Sequence, residues 1–153
     1  MAPVNPIPAG LRTITPQLTV DGAAEAIEAY KKALGAEERS RMMDPSGQKV
    51  WHAELQIGDS MFFVNDSMPD MGGFAHPSNL WLFSDRVDEA FARAQKAGFT
   101  VVMPLADQFW GDRTGTLKDK WGNRWNFGQH VKDMTEAEQR AAGEAFMKNF
   151  KKP

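Results

Sequence analysis

Residues 55–63, LQIGDSMFF, decide the fold of this 153-residue chain, because they form the first of two similar predicted hairpins. The second follows 64 residues later, with Gly122 in the place of Gly58. Gly58-Asp59 lies at the centre of the first apolar hairpin, and Gly122-Asn123 lies at the centre of the second. A Gly-Asp or Gly-Asn pair between apolar runs is a hairpin signal, since these residues adopt the backbone conformations that tight turns require. The sequence therefore predicts two hairpins in equivalent places of two modules.

The repeat extends beyond the hairpins. The same shift carries the helical run at 25–29, EAIEA, onto 89–93, EAFAR, and only the helix ends slip, with Gly35 answering Gly98. An internal repeat predicts similar structural units, here packed about a pseudo-twofold axis.

Hydrophobic periodicity assigns each module the order β-α-β-β-β. In the first module we expect a strand at 13–20, a helix at 22–34 opened by Asp21, and strands at 37–43, 49–57 and 60–64. In the second we expect a strand at 79–83, a helix at 87–97, and strands at 100–103, 114–118 and 124–128. A further helix is expected from 134 to 151, begun by Thr135.

These elements predict an α+β fold in five segments. They are an N-terminal arm at 1–12, a βαβββ module at 13–65, an inter-module loop at 66–76, a second βαβββ module at 77–130, and a C-terminal helix at 131–153. The loop is rich in Gly, Pro, Asp and Met and is a candidate lid.

Composition narrows the classes of function. The net charge is −2 and the chain has no cysteine, which excludes disulfides and thiolate chemistry and gives no general attraction to nucleic acid or to an anionic membrane. No apolar segment approaches the length that spans a bilayer, and the start does not read as a signal peptide. We expect a soluble cytoplasmic protein that binds neither nucleic acid nor membrane.

Several stretches resemble the vicinal oxygen chelate superfamily of glyoxalases, bleomycin-resistance proteins and ring-cleaving dioxygenases, and most of all its PhnB-like branch. They are 20–36 (VDGAAEAIEAYKKALGA), 52–55 (HAEL), 110–113 (WGDR) and 122–125 (GNRW). The resemblance implies that each module folds its sheet into a half-barrel, that ligands lie in the concave cup, and that the protein is a homodimer.

In enzymes of this superfamily a metal sits on the concave face, held from the first and last strands of the modules. Carried onto this sequence, those positions are Thr15, Phe62, Asn79 and Asn126. A divalent transition metal prefers imidazole or carboxylate, and these four residues supply neither. The resemblance therefore implies this fold without its usual metal site and with no cofactor, leaving open a divalent metal at a displaced site.

His52 and Glu54 are the candidate catalytic residues. They lie two apart on one expected strand, so their side chains share a face, opposite the one that Trp51 and Leu55 turn to the helices. Glu54 would act as a general base and His52 as a proton carrier, or the two would be displaced metal ligands. The alternative is a polar pair that bonds a neighbouring strand.

Aromatic and polar residues form the candidate binding surface. Trp81 and Phe83 would be the stacking wall of a pocket, or else core packing. Trp110 would add a further ring, and Arg113 would clamp an anion, although an internal ion pair within a structural turn is the favoured interpretation of Arg113. The full set of predicted ligand contacts is Thr15, Gln17, Phe62, Asn79, Trp81, Phe83, Trp110, Arg113 and Asn126.

Three functions follow from these candidates. The first is a small-molecule-binding protein that holds its ligand in the concave cavity without transforming it. The second is an enzyme, lyase, isomerase or dioxygenase-like, that uses Glu54 and His52. The third is a structural or interaction protein whose barrel is filled by Phe62 and Trp81.

Overall fold

The structure is a computed structural model that describes residues 4–150. Residues 1–3, which begin the predicted N-terminal arm, lie outside the described residues. So do residues 151–153, which end the predicted C-terminal helix segment. The chain divides after Ser78 into two compact units, and each is described by itself.

The first unit has the predicted order β-α-β-β-β. Its elements are β1 (Gln17–Val20), α1 (Ala23–Leu34), β2 (Glu37–Met43), β3 (Val50–Ile57) and β4 (Ser60–Asp66), followed by a 3-10 helix at Pro69–Met71. The strands form one sheet in the order β1-β4-β3-β2, in which β1 runs parallel to β4 and the other neighbours are antiparallel.

The second unit repeats this plan. Its elements are β5 (Asn79–Phe83), α2 (Val87–Lys96), β6 (Thr100–Asp107), β7 (Asp112–Lys118), β8 (Arg124–His130) and the appended α3 (Glu136–Phe150). The sheet order is β5-β8-β7-β6, again with one parallel pair, β5 with β8. The predicted α+β fold with two βαβββ units and a C-terminal helix is confirmed, and both sheets are open.

Each unit buries one face of its sheet against its own helix. In the first unit Tyr30 of α1 meets Phe62 edge to face, with ring centroids 6.2 Å apart, beside the buried Leu55. In the second unit Phe91 of α2 meets Phe127 in the same way at 5.6 Å. We call the opposite face of each sheet, turned away from α1 or α2, the distal face.

The carboxylate of Asp66 joins α1 to the sheet. Its Oδ1 accepts the backbone N–H groups of Gly22 and Ala23, both at 2.9 Å, and its Oδ2 accepts that of Val50 at 2.7 Å. Asp66 is buried at the end of β4, so it caps a helix that begins 43 residues earlier in the chain. The first N–H groups of a helix have no partner within the helix, and a carboxylate also favours the positive end of its dipole.

The predicted cap at Asp21 is wrong. The helix begins after Gly22 with no side-chain cap from within its own segment, and Asp21 instead accepts a hydrogen bond from the hydroxyl of Ser67. In the second unit Gln129 of β8 serves the role of Asp66, since its Oε1 accepts the N–H of Val87 at 3.2 Å.

Two strand predictions also needed correction. The sequence predicts that Trp51 faces the helix, but a register shift between β2 and β3 pairs Met42 with His52 and Met43 with Val50, so Trp51 has no partner on β2. Val50 takes the buried position and Trp51 is 41% exposed. Strand β6 continues to Asp107, through a segment predicted as loop, because an edge strand with irregular register tolerates proline.

Thr135, the residue predicted to begin helix α3, is its N-cap. The hydroxyl of Thr135 accepts the N–H of Glu138 at 3.3 Å, and the Glu138 carboxylate accepts the Thr135 N–H at 2.7 Å, which is a capping box. The helix contacts the loop before β7 through Phe109, whose ring lies 5.2 Å from that of Phe146. Among residues 4–150 no helix is both long and apolar enough to cross a membrane.

A histidine between two carboxylates fastens the segment that leads to α3. His130 Nδ1 lies 2.7 Å from Asp112 Oδ1, and its Nε2 lies 2.9 Å from Asp133 Oδ1. Only the doubly protonated ring can donate to both partners. The hydrogen bonds to Asp112 and then Asp133 raise the pKa of His130 above its usual value.

We expect the replacement of Asp66 by Asn to lower the free energy of unfolding by about 2–3 kcal/mol, because an amide cannot accept all three backbone N–H groups and one donor is left buried without a partner. Urea unfolding of Asp66→Asn and of Asp21→Asn measures the difference. Asp21→Asn is the matched control at the exposed residue that the sequence favoured, and an equal loss in the two variants would refute the assignment of the cap to Asp66.

The stability contributed by His130 should depend on pH. Because its pKa is raised in the folded state, the contribution is fully present below the unfolded value, about 6.5, and is lost as the pH rises through the folded value. We expect the stability difference between the wild type and His130→Gln to shrink across that window. Thermal unfolding at a series of pH values tests this, and Asp133→Asn should lower the pKa of His130 in an NMR titration.

Candidate functional site

The distal face of the first unit carries the predicted catalytic pair. Glu54 on β3 pairs in register with Phe63 on β4, which pairs in turn with Gln17 on β1. His52 Nε2 lies 3.7 Å from Glu54 Oε1, and the imidazole meets the Phe63 ring edge to face at 4.6 Å. The pair therefore shares one face, as predicted, and both side chains are half-buried.

Two predicted contacts do not belong to this face. The two-residue turn Gly58-Asp59 pairs Phe62 with Leu55, so Phe62 points to the helix side, where it is 6% exposed. The prediction that Phe62 faces the cavity is wrong, and its neighbour Phe63 takes that place. Thr15 precedes β1, and its hydroxyl donates to the Arg12 carbonyl at 3.2 Å.

The distal face of the second unit is a grid of three strands and three rows. Directly paired residues of neighbouring strands point to the same face of a sheet. The rows, each read across β5, β8 and β7, are Asn79–Arg124–Lys118, Trp81–Asn126–Thr116 and Phe83–Gly128–Thr114. Four predicted contacts, Asn79, Trp81, Phe83 and Asn126, therefore share one face.

Trp81 and Phe83 form an exposed aromatic pair. Their rings are stacked, with centroids 5.8 Å apart and planes inclined by 16°. They are 54% and 61% exposed, so they do not belong to a closed core. Phe83 lies against Gly128, where a Cβ would come within 2.8 Å of its ring. The absence of a side chain at residue 128 therefore leaves room for the Phe83 ring in this position.

Beside the rings lies a row of hydrogen-bonded polar groups. Asn126 is buried, and its Nδ2 donates to Asn79 Oδ1 at 2.6 Å and to the Leu80 carbonyl at 3.0 Å. The Thr116 hydroxyl donates to Asn126 Oδ1 at 2.8 Å. The network holds the Asn126 amide in one orientation and joins β5, β8 and β7.

The remaining two predicted contacts serve internal roles. Trp110 Nε1 donates to Asp112 Oδ2 at 3.0 Å, and its ring meets Phe109 edge to face. Arg113 forms two hydrogen bonds with the Asp88 carboxylate of α2, at 2.9 and 2.7 Å, and a third with Asp107 at 3.2 Å. These carboxylates raise the pKa of Arg113, and the guanidinium lowers the pKa of Asp88. Arg113 makes the internal ion pair that the sequence favoured.

The residues at the superfamily's metal positions do not fit a divalent transition metal. Asn79 and Asn126 offer amide groups already bonded to each other, and Phe63, which replaces Phe62 on the distal face, has no donor atom. Within residues 4–150, no three His, Asp or Glu side chains form a group that could hold a metal ion.

Sequence reasoning missed Phe63, Thr116, Gly128, Arg124 and Lys118 as members of the two distal faces. Their places follow from counting across each turn once the structure shows where the strands on both sides of it end. The first hairpin has the short turn Gly58-Asp59, whereas the second has a longer turn at 119–123. A single shift of 64 residues therefore does not relate equivalent positions on the strands before and after the turn.

Comparisons with known proteins agree with this fold. An uncharacterized protein of Mycobacterium tuberculosis is 40% identical over 138 residues, which covers 84% of this chain and 81% of that protein. The crystal structure of TioX from Micromonospora sp. ML1 matches with a TM-score of 0.66 at 24% identity, over 78% of this chain and 99% of TioX.

A Bacillus cereus structure described as a putative 3-demethylubiquinone-9 3-methyltransferase, PhnB protein, matches with a TM-score of 0.56 at 21% identity, over 77% of this chain and 99% of that one. The sequence profile of the Glyoxalase/Bleomycin resistance protein/Dioxygenase superfamily matches residues 11–127. The predicted resemblance is confirmed, and the chain belongs to the glyoxalase/bleomycin resistance protein/dioxygenase superfamily.

Proposed function

We propose that the protein binds a small planar molecule on the distal face of its second unit and holds it without transforming it. The observation that carries the proposal is the stacked and exposed pair of Trp81 and Phe83 beside the bonded amides of Asn79 and Asn126. Small-molecule sites are mostly apolar and contain a few polar groups that fix the ligand's orientation, which is the composition of this face.

The aromatic pair is prepared for a flat ligand. The two nearly parallel rings are exposed, and a ligand ring stacks on an aromatic face with its edges free to meet neighbouring polar groups. Phe83 needs little rearrangement because Gly128 leaves room for its ring, and a surface already in its binding conformation loses less entropy when the ligand arrives.

The donor chemistry favours binding over metal-dependent catalysis. The superfamily includes resistance proteins beside enzymes, so membership alone is compatible with both functions. At the positions from which superfamily enzymes hold their metal, this chain has a hydroxyl, two amides and an aromatic ring, which suit hydrogen bonding and stacking.

A second candidate function is an enzyme that uses His52 and Glu54. It is favoured by the 3.7 Å separation of the imidazole and the carboxylate on the distal face of the first unit, where solvent reaches both. In this proposal Glu54 takes a proton from a small carbonyl-bearing substrate and His52 donates one, or the pair supplies two ligands of a displaced metal.

We expect Trp81→Ala to weaken the binding of a planar aromatic probe such as 2-naphthoate by about fivefold or more, because loss of one stacking ring costs about 1–3 kcal/mol. Gly128→Ala should weaken binding as well, since the new Cβ displaces Phe83. Isothermal titration calorimetry on the full chain measures both effects. Trp51→Ala, the same change at an exposed tryptophan of the first unit, is the matched control and should bind as the wild type does.

Addition of Zn²⁺, Ni²⁺ or Mn²⁺ should leave the thermal unfolding midpoint of the wild type unchanged, and EDTA should not lower it. A metal that binds only the native state raises stability by about 2.7 kcal/mol at a hundredfold excess over its dissociation constant. A stabilisation by metal that is lost in His52→Gln and Glu54→Gln would contradict the metal-free proposal and support the second candidate.

A further inference from the structure

The end row of the grid consists only of hydrogen-bond donors and cations. Asn79, Arg124 and Lys118 lie side by side in register across β5, β8 and β7, so all three side chains belong to the distal face that carries Trp81. This row is two residues along each strand from the row of Trp81, a distance of about 6.6 Å.

The orientation of the Asn79 amide follows from its neighbours. The Leu80 carbonyl can only accept, so the Asn126 atom 3.0 Å from it is the amide nitrogen. The second hydrogen on that nitrogen points to Asn79 at 2.6 Å, which must present its oxygen there. The nitrogen of Asn79 therefore lies on the side of the amide away from Asn126, and this exposed residue has two N–H donors to offer to a ligand.

The two cations of this row are available to a ligand. Within the described part of the chain, Arg124 and Lys118 are exposed and have no ion-pair partner. Arg113 on the same strand as Lys118 is different, since Asp88 and Asp107 neutralise it. The cationic groups near Trp81 therefore keep their charge for a group outside the chain.

We propose that this face selects planar aromatic compounds that carry a carboxylate. The ring stacks on Trp81 and Phe83, and the carboxylate, about one row away, accepts the N–H groups of Asn79 and pairs with Arg124. A cationic group in the carboxylate's place would be repelled by Arg124 and Lys118, and a hydrogen-bond donor there would face the donors of Asn79. The row therefore favours a ligand with a negatively charged acceptor at this place. This specificity rests on the binding function proposed above.

The test compares two probes with the same ring system, 2-naphthoate and 2-naphthylmethylammonium, by isothermal titration calorimetry on the full chain at low salt. We expect the wild type to bind the carboxylate at least about tenfold more tightly, because hydrogen bonds to a charged group contribute about 1.5–3 kcal/mol. The preference should decrease as salt is added, since the charges are exposed.

Two variants reverse the row's polarity without removing a ring. Asn79→Asp keeps the oxygen that accepts from Asn126 but turns a carboxylate outward, and Arg124→Glu reverses one charge at an exposed site. Each should lower the preference for the carboxylate by about tenfold or invert it. Arg140→Glu on α3 makes the same change in net charge as Arg124→Glu at an exposed residue outside the grid and should leave the preference unchanged; unfolding curves verify that each variant is folded.

The outcomes separate this inference from the proposed function. If the wild type binds both probes equally, and Asn79→Asp and Arg124→Glu do not change their ratio, the selection of a carboxylate is wrong while binding on the aromatic pair stands. If neither probe binds the wild type, the proposed function itself fails, and the inference fails with it.

Discussion

The carboxylate of Asp66 is the interaction on which the first unit depends. It accepts three backbone N–H groups, two at the start of α1 and one at the start of β3, and so fixes where the helix begins over the sheet. Once the helix covers one face, the residues at alternate positions of each strand are turned to the other. In the second unit the neutral amide of Gln129 makes one equivalent bond to α2.

The repeated scaffold gives the two units different distal faces. In the first, an imidazole and a carboxylate lie beside Phe63, and in the second, two stacked rings lie beside a row of bonded amides. The helix sides remain similar, with an edge-to-face pair in each, Tyr30 with Phe62 and Phe91 with Phe127. One fold thus carries two different sets of side chains, and function belongs to the site rather than to the scaffold.

Partners decide what a charged residue does. Arg113 and Arg124 lie on neighbouring strands, yet Asp88 and Asp107 occupy three of the five N–H donors of Arg113 and neutralise its charge. Arg124 is exposed in the row of Asn79 and has no such partner within residues 4–150. A guanidinium binds a carboxylate in a bidentate manner only when its donors are not already occupied.

The sequence by itself determined the two βαβββ units, the kind of each strand and α-helix, and the Thr135 cap of α3, because periodicity, turn residues and caps are local signals. It also placed Trp81, Phe83 and Asn79 on one face, and His52 with Glu54 on another.

Only the tertiary structure decided contacts that join distant segments. The cap of α1 comes from Asp66 rather than from the adjacent Asp21, because a carboxylate at the end of β4 reaches the helix start only after the sheet forms. Phe63 rather than Phe62 lies opposite Gln17. The constant shift of 64 residues indicates Phe62, but the two hairpin turns differ in length, and a slip of one residue turns a side chain to the other face of a strand.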